Sequence, residues 1–118
     1  MTLFDLQFLK GGKQTLESEA LLERSEGGLR IVLDERGEQI GSRGLASRIS
    51  RWEQSPGVKE VCFLIGGAEG HADCLRQRAD WLWSLSALTL QHELALLVVL
   101  EQIYRAHSIK AGGPYHRD

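Results

Sequence analysis

Val61-Cys62-Phe63-Leu64-Ile65, running into Gly66-Gly67-Ala68-Glu69-Gly70, is the stretch on which the fold turns. Five consecutive apolar residues leave no polar face, which suits a strand buried on both sides in a parallel sheet. Open α/β sheets take ligands at the carboxyl ends of such strands, where glycine lets backbone approach the ligand. This loop is neither G-x-G-x-x-G nor a Walker A motif, and no lysine follows it, so dinucleotide or triphosphate binding gains little support. On its own residues it reads equally as a ligand loop or as a tight structural turn.

Working outward, residues 3–9 alternate loosely at period two and read as a strand closed by Gly11-Gly12. A short helical stretch around Ala20-Leu21-Leu22 stops at Gly27-Gly28. Leu29 to Leu33 is a second strand, followed by a charged loop, Asp34-Glu35-Arg36-Gly37. Leu45, Ile49 and Trp52 share one face of an amphipathic helix over 43–53, with Ser42 placed to cap it and Pro56-Gly57 as the turn beyond. After the central strand come a polar helix near 72–80, a short apolar run from Trp81 to Leu85, a long helix over 91–108, and an irregular tail. Strands alternating with helices give an α/β domain with a mainly parallel sheet and flanking helices. At 118 residues the chain fits one domain, 1–118.

Composition narrows the function classes. Fourteen basic against sixteen acidic residues leave a net charge of −2, a poor starting point for a non-specific nucleic-acid binder. The longest apolar run, Leu94 to Leu100, is far short of the roughly 18 residues that span a bilayer. With no basic leader at the N-terminus, a cytoplasmic protein with no membrane partner is expected. Cys62 and Cys74 form no C-x-x-C pair and read as two buried or half-buried reduced thiols. His71, His92, His107 and His116 make no metal-type pair, so no metal is expected.

The run from Leu94 to Leu100 covers a whole helix circumference. A surface helix needs one apolar stripe, so one side of this helix should meet the sheet and another a second copy of the chain. The competing reading is a deeply buried helix in a monomer. The loop Leu85-Ser86-Ala87-Leu88-Thr89-Leu90, small and apolar with two hydroxyls, suits an uncharged aromatic ring held by backbone groups. Its plainer reading is a helix N-cap region with Thr89 as cap. Tyr115-His116-Arg117 places a ring, an imidazole and a guanidinium side by side, a trio suited to stacking and phosphate contact unless the tail is simply frayed.

Three segments taken together, Leu64 to Gly70, Trp83 to His92, and Glu101 to Ile109 with Pro114 to Arg117, resemble the bacterial SPOUT-class methyltransferases that modify N3 of a pseudouridine in large-subunit ribosomal RNA. The resemblance runs from about Leu29 to the C-terminus. It implies an α/β trefoil knot in the C-terminal half, a homodimer, and S-adenosylmethionine as methyl donor. Carried over by motif, the donor would contact Leu33, Gly66 and the loop residues Leu85, Ser86, Ala87, Leu88, Thr89 and Leu90. Tyr115, His116 and Arg117 would serve catalysis, and Arg105 and His92 the substrate. Residues 3–9 would match the family's second strand, its usual first strand and helix (about 30–40 residues at ordinary element lengths) having no counterpart. Gln91 replaces a usual proline and Leu96 a usual arginine.

The expected activity is methyl transfer to a pseudouridine N3 in 23S ribosomal RNA of the large subunit. The alternative from another class is a non-catalytic ribosome-binding or assembly protein that keeps the fold. An unrelated flavodoxin-like nucleotide binder fits the tail and the Leu85–Leu90 loop poorly. Arg105 and Arg117, with Arg76 and Arg78, are the expected phosphate contacts.

Overall fold

A computed structural model describes residues 5–10, 14–65 and 73–113. Strands β1 (Asp5–Lys10), β2 (Leu29–Glu38), β3 (Glu60–Ile65) and β4 (Trp81–Trp83) alternate with helices α1 (Gln14–Arg24), α2 (Ser42–Gln54), α3 (Asp73–Gln77) and α4 (His92–Ala111). The strands form one sheet in the order β1-β3-β2-β4, every pairing parallel. The apolar pentad of β3 thus lies between two strands, with Val61 through Ile65 all buried.

Strand alternation divides those side chains between two cores. Val61, Phe63 and Ile65 join Ile31, Leu33, Trp81 and Trp83 beneath α2 and α4, which contribute Leu45, Ile49, Ala95, Val99 and Ile103. Cys62, Leu64 and Val32 point to the other face, against Leu21 of α1 and Leu75 of α3. Each turn of period two sends one residue to each layer, and neither face is left for water.

Four expectations are corrected. The charged stretch Asp34 to Gly37 belongs to β2: Leu33 and Glu38 both pair with Trp83, so the intervening residues bulge out of register before the strand resumes. Ser42 does not cap α2. Gly41 holds that position without a side-chain cap, while the Ser42 hydroxyl donates to Gln102 Oε1 on α4 at 2.5 Å. The polar helix near 72–80 is reduced to the five residues of α3, because Asp80 is already bonded into the sheet through Arg30. Cys62 is buried as expected, but Cys74 is exposed on α3.

Candidate functional site

The register sets Leu33, just before the β2 bulge, beside the carboxyl ends of β3 and β4. Leu33 pairs with Ile65 on one side and with Trp83 on the other. The chain leaves β3 toward Gly66 and leaves β4 toward Leu85 from this same edge. Helix α2 packs on one face of the sheet and α3 on the other. The adjacent strands β2 and β3 therefore diverge here, and such a divergence opens a crevice in α/β sheets. Leu33 sits at this edge with its side chain in the core, and Leu85–Leu90 follow in sequence from β4. Gly66 follows directly from Ile65 but lies outside the described residues.

The loop after β4 is pinned at both ends and open in the middle. Leu85 and Leu90 pack against the core beneath α2 and α4, whereas Ala87, Leu88 and Thr89 are exposed. The buried Ser84 hydroxyl donates to the Ser86 carbonyl at 2.9 Å, and the Leu88 amide donates to the Ser86 hydroxyl at 3.0 Å. Thr89 is not the helix cap. Its hydroxyl donates to Glu35 Oε2 at 2.6 Å, and Gln91 caps α4 by accepting from the Glu93 and Leu94 amides. The residue that replaces the family's proline thus supplies an acceptor where helix amides have no partner.

Beside Leu85 lies a cavity of about 190 Å³ lined by Ile40, Gly41, Ser42, Leu45, Trp83, Leu85, Val98 and Gln102. Trp83, one of its walls, keeps its indole N–H buried without a hydrogen-bond partner among the described residues. An unpaired buried donor costs about 1–3 kcal/mol, so a ligand acceptor reaching it would recover that loss.

Of the other expected site residues, Arg105 sits on α4 and bonds Glu101 Oε2 at 2.6 Å, one turn away. Thirteen residues separate it from His92, roughly 20 Å along a helix. Gln102, three residues before Arg105, lines the same cavity as Leu85, so Arg105 lies about one helical turn beyond the near end of the loop. His92 opens α4, and Tyr115, His116 and Arg117 lie outside the described residues. Arg76 is paired with Asp34 at 3.2 Å, both side chains being largely buried. Sequence reading missed Glu35 and Trp83. By composition the first belongs to a charged loop, and the second lies in a motif that gives it no role of its own. Among the described residues no group of three His, Cys, Asp or Glu is placed to hold a metal, and no helix is long and apolar enough to cross a membrane.

Residues 9–116 match the family described as "Predicted SPOUT methyltransferase". The chain belongs to the SPOUT methyltransferase family. It is 50% identical over 113 residues to the protein named Ribosomal RNA large subunit methyltransferase H of Thermus thermophilus, covering 96% of this chain and 75% of that one. A protein of the same name from Deinococcus radiodurans is 47% identical over 109 residues, 92% of this chain and 74% of the relative. One from Paramagnetospirillum magneticum is 48% identical over 102 residues, 86% and 66% of the respective chains. SPOUT membership agrees with the α/β architecture and the parallel sheet expected from the sequence.

Proposed function

We propose that this SPOUT protein methylates N3 of a pseudouridine in 23S ribosomal RNA of the large subunit, with S-adenosylmethionine as donor, as a homodimer in the cytoplasm. The reading treats 1–118 as a single domain carrying the family's knot. The observation that carries it is the pairing of Leu33 with Ile65 and Trp83, the strand residues from which the expected donor loops follow in sequence. The relatives' shared name supplies the large-subunit RNA.

S-adenosylmethionine supplies an already activated methyl group on a sulfonium. What remains for the protein is to place donor and nitrogen within near-attack distance, and orientation of that kind is worth about 7–11 kcal/mol in favourable cases. Backbone groups of Leu85–Leu90, Leu33 and Gly66 would hold the donor's uncharged parts. The target N3 must lose its proton; His116, flanked by Tyr115 and Arg117, is assigned to that end of the reaction.

The exposed Leu94, Leu97, Leu100 and Tyr104 on α4 support a second copy of the chain as its cover. A two-fold axis perpendicular to α4 would run the helix antiparallel to its copy and bring each carboxyl half toward the other subunit's loop. Arg105 would then bind RNA for the neighbouring donor site.

Calorimetry with S-adenosylmethionine, followed by tritiated methyl incorporation into large subunits lacking the modification, tests the assignment. Binding with incorporation at the pseudouridine supports it. Donor binding without incorporation would favour the non-catalytic assembly protein, and no donor binding would remove the reading.

A further inference from the structure

The bulge in β2 carries two adjacent carboxylates that reach two different elements. At its base, Gly37 lies against the backbone of Leu82 and Trp83, where an added Cβ would come within 2.5 Å of Leu82 and 2.7 Å of Trp83. Asp34 Oδ1 accepts the Arg36 amide at 2.9 Å, while Oδ2 receives Arg76 from α3 at 3.2 Å. That ion pair is well shielded, with side-chain exposures of 9% for Asp34 and 17% for Arg76. The excursion therefore has a firm root. Next to this root, Glu35 accepts the Thr89 hydroxyl at 2.6 Å.

The Ser84 amide ties the loop's entry to Glu38 of β2 at 2.9 Å, while the Ser84 and Ser86 hydroxyl bonds are internal and shape the loop without tying its outer half to the sheet. Ala87, Leu88 and Thr89 are exposed, so packing does not fix them. The Thr89–Glu35 bond does connect this outer half to β2.

We propose that Glu35 is a positioning residue for the methyl donor: rooted by the Asp34–Arg76 pair, its carboxylate holds the Leu85–Leu90 loop in the binding shape through Thr89. This rests on the assignment of S-adenosylmethionine to that loop. A ligand's apparent affinity falls in proportion to the fraction of time its site is competent. Removing the tie leaves the loop sampling other shapes, and the donor has to select the minority that fits. An exposed hydrogen bond adds little to global stability, so affinity should move while the melting temperature does not.

The test is a calorimetric titration of the full chain with S-adenosylmethionine, run on wild type, Glu35→Ala, Glu35→Gln, Thr89→Val, Thr89→Ser and the Glu35→Ala/Thr89→Val double variant. The Ala and Val variants should each weaken the donor by about five- to tenfold, the order expected for one lost charge-assisted hydrogen bond. Gln at 35 still accepts a hydrogen bond and Ser at 89 still donates one, so both should stay within about twofold of wild type. The double variant should be no weaker than the worse single, since one interaction cannot be lost twice. The melting temperature of Glu35→Ala should match wild type, and the affinity lost in Glu35→Ala should return in Glu35→Gln, a rescue that a merely structural defect would not give. Wild-type affinity in the Ala and Val variants, or additive losses in the double, would overturn the positioning role and leave the donor assignment standing. A wild type that binds no donor would remove both.

Discussion

At the scale of single residues, the structure gives jobs to positions whose chemistry looked neutral. Gly37 is the clearest, because a methyl group there would meet the backbone of Leu82 and Trp83 and not a side chain that could turn away. Gly37→Ala should cost about 1–3 kcal/mol, the usual penalty of overpacking, read as a lower urea midpoint with unchanged slope. Cys62 offers a second measurement. Burial, then the hydrogen bond to Glu60 at 3.4 Å and the charge of that carboxylate, push its pKa from 9.0 up to about 12, against a smaller opposing pull from Arg30. A thiol-specific dye at pH 8 should therefore label Cys74 alone in the folded protein and both cysteines in denaturant. Prompt labelling of two thiols in the native state would contradict the burial. The same shift sets a pH window. Above about pH 9 the unfolded chain releases the Cys62 proton while the folded chain keeps it. The stability tied to this thiol is thus full below pH 9 and is lost as pH rises toward 12. Cys62→Ala should show a shallower alkaline decline than wild type in urea titrations at pH 9 to 11.

At the scale of elements, legibility followed how locally each element is determined. The β3 pentad announced a strand covered on both faces by its composition alone, and Gly112, which ends α4 with φ of +70°, is a glycine where that backbone is required. The β2 bulge could not be read, because Asp34 to Gly37 has the composition of a loop and is drawn into the sheet by Trp83, 45 or more residues later. The caps failed for a related reason. Ser42 and Thr89 are good capping residues by type, but each found a partner distant in sequence, Gln102 and Glu35. The crevice was legible as two separate loops; that Leu33 lies between their points of departure is a fact of register. Helix α4 shows the limit from the other side. Its apolar run suggested cover all round, yet Leu94, Leu97, Leu100 and Tyr104 are 48%, 62%, 44% and 61% exposed in the protomer, while Val99 and Ala106 are fully buried. These two groups make opposite predictions. Leu97→Glu puts a charge where the protomer is already wet, so the variant should stay folded and elute as a monomer of about half the wild-type mass by light scattering. Val99→Glu buries an unpaired charge at a cost of several kcal/mol and should not fold. A Leu97→Glu protein that remains a dimer would place the interface elsewhere.

At the scale of the whole molecule, charge decides what form of RNA the protein can engage. With a net charge of −2, a subunit lacks the excess Lys and Arg that drive binding to free RNA through counterion release, and pairing two copies doubles the deficit. The structure sharpens this, because several arginines are already committed internally. Arg48 is held by Glu38 and stacked 4.1 Å over the Trp81 ring, Arg76 is paired with Asp34, and Arg105 is bonded to Glu101. Such guanidiniums can still touch a phosphate, but they bring less net field than their number suggests. Recognition should then depend on the shape of an assembled particle, with a few arginines fixing register against nearby phosphates. Tritiated methyl incorporation, compared at one salt concentration, should be efficient with large ribosomal subunits or intact ribosomes. It should be slight with protein-free ribosomal RNA and slight again with a short stem-loop. The salt slope on the particle should also be shallow, because few counterions are released per contact. Efficient labelling of the isolated stem-loop would show that local contacts suffice, and the tail from Pro114 to Asp118 would then be the first segment to delete in search of them.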